Sequence, residues 1–77
     1  MLSAYVLIET EVGKVAHVAQ ALTKLDGVRL AEDLAGPYDV IAKDKAPSLD
    51  ELGRLVMSHI QVLDGVTRTV TCMVLHR

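Results

Sequence analysis

The sequence predicts an α+β sandwich of order βαββαβ, with four antiparallel strands and two helices on one face, and three observations predict it. The tetrapeptide Leu-Asp-Gly-Val occurs at residues 25–28 and again at 63–66, 38 residues apart in a chain of 77, so the chain reads as two similar halves. Each copy follows a stretch of helical apolar spacing and precedes a β-branched run. Between the halves, Gly36-Pro37 separates two strand-like runs by so little chain that they must pair as a hairpin.

Strand one, Leu2 to Glu9, sets Leu2, Ala4, Val6 and Ile8 on one face and Tyr5 and Leu7 on the other; both faces are apolar, so both are expected to be covered. Helix one is expected over Val12 to Lys24 on the stripe Val15, Val18, Leu22 and Leu25 with Ala19, capped by Thr10 with Glu11 in its first turn. Gly27 and Gly65 are expected at the left-handed position after each helix, where a Cβ is penalised, with Val28 and Val66 clasping back onto the last turn. Strand two, Val28 to Ala35, is of mixed polarity and reads as an edge. Gly36-Pro37 suits a type II′ turn into strand three, Tyr38 to Asp44.

Pro47-Ser48-Leu49-Asp50-Glu51 is the clearest helix start, because Ser48 can accept from the Glu51 N–H while the Glu51 carboxylate returns to the Ser48 N–H. Helix two then runs to about Val62 on the stripe Leu49, Leu52, Val56, Ile60 and Leu63, broadened by Leu55 and Val62, with Arg54, Ser58 and Gln61 toward water. Strand four, Val66 to Leu75, alternates Val66, Val70, Cys72 and Val74 with Thr67, Thr69, Thr71, Met73 and Leu75. Right-handed crossovers with both helices on one face make this a ferredoxin-like sandwich, one domain over residues 1–77, with strands one and three central and two and four at the edges.

Composition points to self-association. Half the residues (51%) are apolar and mean hydropathy is +0.33, yet there is no Trp or Phe; so small a domain cannot hide that aliphatic surface alone, and an exposed apolar face marks an interface. A net charge of −2 gives no electrostatic footprint for nucleic acid. The single Cys72 rules out an internal disulfide framework and reads as a small packed thiol in a reducing compartment. Ala4 to Ile8 is too short for a signal-peptide core and no stretch reaches membrane length, so a cytoplasmic protein is expected.

Catalysis has little to work with. His17, His59 and His76 share no metal-ligand spacing with one another or with Cys72, and read as solvated histidines. Asp50 and Glu51 fall in a helix's first turn, where carboxylates complement the dipole. No nucleophile elbow, phosphate loop or dinucleotide fingerprint is present, and no cofactor or metal is called for. What remains is the hairpin Gly36-Pro37-Tyr38-Asp39 and the hydroxyls of Thr67, Thr69 and Thr71. Asp39 precedes the apolar run Val40 to Ala42, where an unpaired carboxylate is costly, so it wants a cation or N–H donors. Tyr38 adds an apolar ring with a polar tip, and the Gly36 backbone can be approached closely. These groups fit a free amino acid, ammonium to Asp39 and carboxylate to backbone N–H groups and threonine hydroxyls. The competing reading is a turn aspartate satisfied by N–H groups of its own loop, beside threonines chosen for strand propensity.

At these residues the chain resembles the effector-binding module of the Lrp/AsnC family, the feast/famine transcriptional regulators, called the RAM domain. The similarity runs through Ala4-Tyr5-Val6-Leu7-Ile8, the Leu25-Asp26-Gly27-Val28 helix end, Gly36-x-Tyr38-Asp39-Val40, Leu49-x-x-Leu52 and Leu63-x-Gly65-Val66-x-Arg68-Thr69-x-Thr71. The resemblance implies a non-enzymatic module of transcription regulation, a homodimer of the α+β barrel type with sheets face to face, and rings of dimers with small ligands, amino acids or their relatives, held between neighbouring dimers. It carries the ligand site onto Gly36, Tyr38, Asp39, Thr69 and Thr71. The family's N-terminal helix-turn-helix has no counterpart here, so the resemblance implies a stand-alone RAM domain that binds free ligand or co-assembles with full-length regulators. Pro37 withholds one backbone N–H from a ligand carboxylate.

Three other readings stay open. Glu9 to Val15 loosely resembles the acidic-then-Gly opening of an ACT domain, another amino-acid binder. A small dimeric α+β barrel enzyme, an isomerase or cofactor-independent oxygenase, needs Tyr5 or His17 facing a cavity between helices and sheet. An assembly module without any ligand is the third.

Overall fold

The computed structural model of the chain describes residues 1–75. Its elements are β1 (Leu2–Thr10), α1 (Val15–Thr23), β2 (Val28–Asp33), β3 (Val40–Ala46), α2 (Leu49–Arg54), which continues as a π-helix over Leu55–Ile60, and β4 (Val66–Met73). The sheet is antiparallel in the order β2-β3-β1-β4, so the central and edge strands fall as expected. None of the helices described is long and apolar enough to cross a membrane.

Alternation in the two central strands builds the core. Val6 and Ile8 of β1 and Val40 and Ala42 of β3 are fully buried beneath Val18 and Leu22 of α1 and Leu55, Val56 and Ile60 of the second helical stretch, while Ala4 is buried in a smaller cluster with Ala46 and Leu52. Their alternate residues, Tyr5 and Leu7 on β1 and Ile41 and Lys43 on β3, lie on the helix-free face with Val70 and Cys72 of β4. The helix-one stripe is as expected, with Val15, Ala19 and Leu25 at the core's margin.

Both Leu-Asp-Gly-Val segments fold identically, though not as the helix cap expected of them. Gly27 and Gly65 do take positive φ, 94° and 97°. They sit beyond the caps, at the third position of β-turns closed by Val28 N–H to the Leu25 carbonyl at 3.2 Å and Val66 N–H to the Leu63 carbonyl at 3.1 Å. The clasp is therefore a backbone bond. Each glycine carbonyl then accepts from a central strand's end, Gly27 from Lys45 N–H and Gly65 from Glu11 N–H, both at 2.8 Å.

Each edge strand next skips one residue of its register. Val28 pairs with Asp44 and Leu30 with Lys43, passing over Arg29; Val66 pairs with Thr10 and Arg68 with Glu9, passing over Thr67. Such a bulge moves every later side chain to the other face. It corrects the expected alternation of strand four: Val66 packs on the core, while Val70 and Cys72 turn to the helix-free face and Thr69 and Thr71 to the helix side, opposite Ile8 and Val6. Cys72 is exposed rather than packed.

Other boundaries shift for local reasons. α1 begins at Val15, because the chain first turns through Gly13 at φ 82°, and its N-cap Lys14 offers no side-chain bond; Thr10 belongs to β1 instead. Ser48 caps α2 as expected, accepting from Glu51 N–H at 3.2 Å, but among the described residues no bond returns from the Ser48 N–H to Glu51. Of the expected stripe, Leu52, Val56 and Ile60 are buried and Leu63 packs at the core's margin, whereas Leu49 at the helix start and Val62 beyond the helix end are exposed. The β2–β3 connection is not a type II′ turn: Gly36 has no positive φ, and a six-residue loop is closed by Leu34 N–H to the Asp39 carbonyl at 2.8 Å. Asp39 is tied to β1, which holds the start of β3 away from a tight reversal. Strand four ends at Met73 rather than Leu75.

Candidate ligand site

Asp39 is the best-anchored polar residue of the expected site. Its N–H donates to the Ile8 carbonyl at 2.9 Å and its carbonyl accepts from Leu34. Its carboxylate Oδ2 accepts from the Thr10 N–H at 2.8 Å and from the Thr10 hydroxyl at 3.3 Å. The donors thus come from the end of β1, not from the loop itself. Among the described residues nothing bonds to Oδ1, so one carboxylate oxygen is left to take a cation.

Across β1 lies the second half of the site. Thr69 stands opposite Ile8, the residue whose carbonyl holds Asp39, so Asp39 and Thr69 flank the same point of β1 from its two sides. The Thr69 hydroxyl accepts from the Gln61 side-chain amide at 3.0 Å. With Gln61, Val66, Thr67 and Arg68 it lines an open cleft of about 410 Å³. Thr71, two residues on, lines a separate and more apolar cleft of about 380 Å³ between the second helix and β4, with Leu52, Val56 and Met73 among its walls. Thr67 is spent on the bulge, donating to the Glu9 carbonyl at 3.2 Å. Tyr38 is half-buried and Gly36 exposed at the loop tip, with open space around its Cα; neither lines a cleft that also holds Thr69 or Thr71.

Of the expected residues the structure thus sets Asp39 and Thr69 on either side of the end of β1 and brings Gly36, Tyr38 and Thr71 to neither. Two participants escape a reading of the sequence. Gln61 is exposed, as expected, yet its side-chain amide reaches the Thr69 hydroxyl, a contact no sequence signal marks. Thr10, expected as a helix cap, serves Asp39.

Elsewhere, charged side chains pair on the surface. Lys14 Nζ lies 3.1 Å and His17 Nε2 3.7 Å from Asp64 Oδ2, all exposed. His59 is also exposed, and His76 lies outside the described residues. No group of histidine, cysteine and acidic residues that could hold a metal occurs among the described residues. Tyr5 sits on the helix-free face with Lys43 Nζ 5.7 Å from its ring centre, and His17 is on the outer surface, so neither faces a cavity between helices and sheet as a barrel enzyme would require.

Residues 3–77 match the Lrp/AsnC ligand binding domain. A Pyrococcus abyssi protein described as an uncharacterized HTH-type transcriptional regulator is 35% identical over 55 residues, 71% of this chain but 37% of that protein. The matched stretch spans well under half the length of that relative. Among solved structures, TTHA0845 from Thermus thermophilus superposes with a TM-score of 0.94 at 31% identity, covering 100% of this chain and 96% of that one. Escherichia coli AsnC superposes with a TM-score of 0.91 at 25% identity, covering 99% of this chain and 52% of that one.

Proposed function

Because the chain belongs to the Lrp/AsnC family through its ligand-binding domain, we propose that it is a non-enzymatic sensor of free amino acids, or of close relatives carrying an ammonium and a carboxylate. One observation carries the reading: Asp39 is fixed through Oδ2 by Thr10 and keeps Oδ1 open, with hydroxyl and amide groups of Thr69 and Gln61 beyond β1. The anionic half meets an ammonium, and the hydroxyl half meets a carboxylate.

The Asp39 carboxylate sits against the end of β1 while the Thr69 hydroxyl and the Gln61 amide belong to a cleft that Asp39 does not line. We therefore take the site to be composite, completed where a second copy brings its own half alongside. The helix-free face offers the means of association: Tyr5, Leu7, Ile41, Val70 and Cys72 form an apolar strip across three strands that an isolated domain leaves wet. Homodimers through that face, and rings of dimers enclosing ligands, follow; co-assembly with full-length regulators uses the same surfaces.

Thermal-shift and calorimetric screening of the common amino acids, alongside light scattering with and without each, tests this. A ligand at about 100-fold its Kd stabilises the folded state by about 2.7 kcal/mol, a shift of about 10–20 °C for a domain this small. Asp39→Asn should abolish the shift while leaving the oligomer intact. If a well-folded sample responds to no amino acid, the ligand reading fails; a stable ring whose size ignores them leaves an assembly module.

A further inference from the structure

Asp44 lies on the helix-covered face of the sheet, opposite Ala4 of β1 and Val28 of β2. It is fully buried, and among the described residues neither carboxyl oxygen has a hydrogen-bond partner. It also interrupts the core. Its strand neighbour on the same face, Ala42, belongs to the larger apolar cluster and the other, Ala46, to a smaller one with Ala4 and Leu52. The helix above divides at the same level: Leu52 packs with the smaller cluster, Leu55 and Val56 with the larger, and between them α gives way to π bonding. A helix that changes its hydrogen-bond pattern over a boundary in the core is less firmly seated than one crossing a continuous apolar floor.

We infer that Asp44 makes the seating of residues 49–60 on the sheet proton-dependent: the neutral carboxyl is tolerated beneath the helix, and the carboxylate draws water into the seam and loosens it. The surroundings offer the charge no relief. β1 presents Ala4 and β2 presents Val28, while on β3 itself Lys43 and Lys45 alternate to the opposite face. The helical stretch supplies Leu52, Leu55 and Val56 inward, with Asp50, Glu51, Arg54 and His59 exposed; Lys24 and Asp26 at the end of α1, and Arg29 on the bulge, are exposed as well. None of these makes an ion pair with Asp44. Burial accordingly pushes its carboxyl up from 3.8 to about 7.

Carbon-13 titration of the Asp44 carboxyl in the intact protein is the first test, with amide exchange over Leu52–Ile60 in wild type and Asp44→Asn as the second. Expected are a midpoint near neutrality and, after correction for intrinsic exchange, protection of Leu52–Ile60 that falls by up to about tenfold per pH unit between about pH 4 and 7 in wild type only. A midpoint in the ordinary carboxylate range overturns the inference. So do equal pH slopes in the two proteins, or Leu52–Ile60 opening at the same free energy as β1 and β4 at every pH. Should Asp44→Asn fail to fold, the wild-type titration and the distribution of its exchange decide alone.

Discussion

The two ends of the sheet carry the same four-residue turn and treat it differently. At both, a Leu-Asp-Gly-Val turn closes by bonds that match to 0.1 Å, its glycine carbonyl accepts from the end of a central strand, and the edge strand then skips one residue. That symmetry makes Thr10 and Asp44 equivalent, each paired with the valine of a turn. Thr10 gives its N–H and hydroxyl to Asp39, so a carboxylate is held at the end where the ligand site is proposed. Asp44 is a carboxyl in the equivalent place whose oxygens have no hydrogen-bond partner among the described residues. One backbone device thus supports a satisfied acidic site at one end and an unsatisfied one at the other, and only the side chains tell them apart.

The largest effects come from removing the shared device. Gly65→Ala should cost about 2–4 kcal/mol in urea unfolding, since φ is 97° and a Cβ would stand 2.8 Å from Lys14 Cβ and 3.1 Å from Val18 Cγ2. Gly27→Ala meets Leu55 Cδ2 and the Lys45 carbonyl at 3.0 Å and should cost about 1–3 kcal/mol; a larger loss here than at Gly65 would break the ranking. Next comes the difference between the ends. The folded carboxyl of Asp44 titrates above its unfolded value of 3.8, so its contribution is fully present below about pH 4 and is lost as the pH rises to about 7. Asp44→Val should remove that slope and raise stability at pH 8 by about 1–3 kcal/mol, whereas Asp39→Ala should lower it by about 1–2 kcal/mol, by freeing the Thr10 N–H. Smallest is Asp64→Ala, which removes the exposed pairs with Lys14 and His17; about 0–0.5 kcal/mol is expected, shrinking in salt.

The order of elements, strand positions and helix-one stripe were readable because period-2 and period-3.6 patterns persist through Ala4 to Ile8 and Val15 to Leu22. The edge strands were readable only to the first bulge. Nothing in Val66-Thr67-Arg68 announces a skipped residue, so Cys72 and Val70 landed on the face opposite to Val66. The π-helical stretch was equally silent, and so was the reach of Gln61 to Thr69. Asp44 could have been found: it falls in step with Val40, Ala42 and Ala46, and a strand followed past Lys43 places it in the core. For Asp39 the sequence showed that donors were needed but not which, because Thr10 is 29 residues away in the chain and meets it only in the folded sheet.

Cys72 stands beside Tyr5 in the register of the helix-free face. In the dimer proposed through that face its thiol would be a native gauge of subunit exchange: an alkylating reagent would modify it only as fast as protomers part, and the labelling rate against protein concentration would time how long the partners stay together.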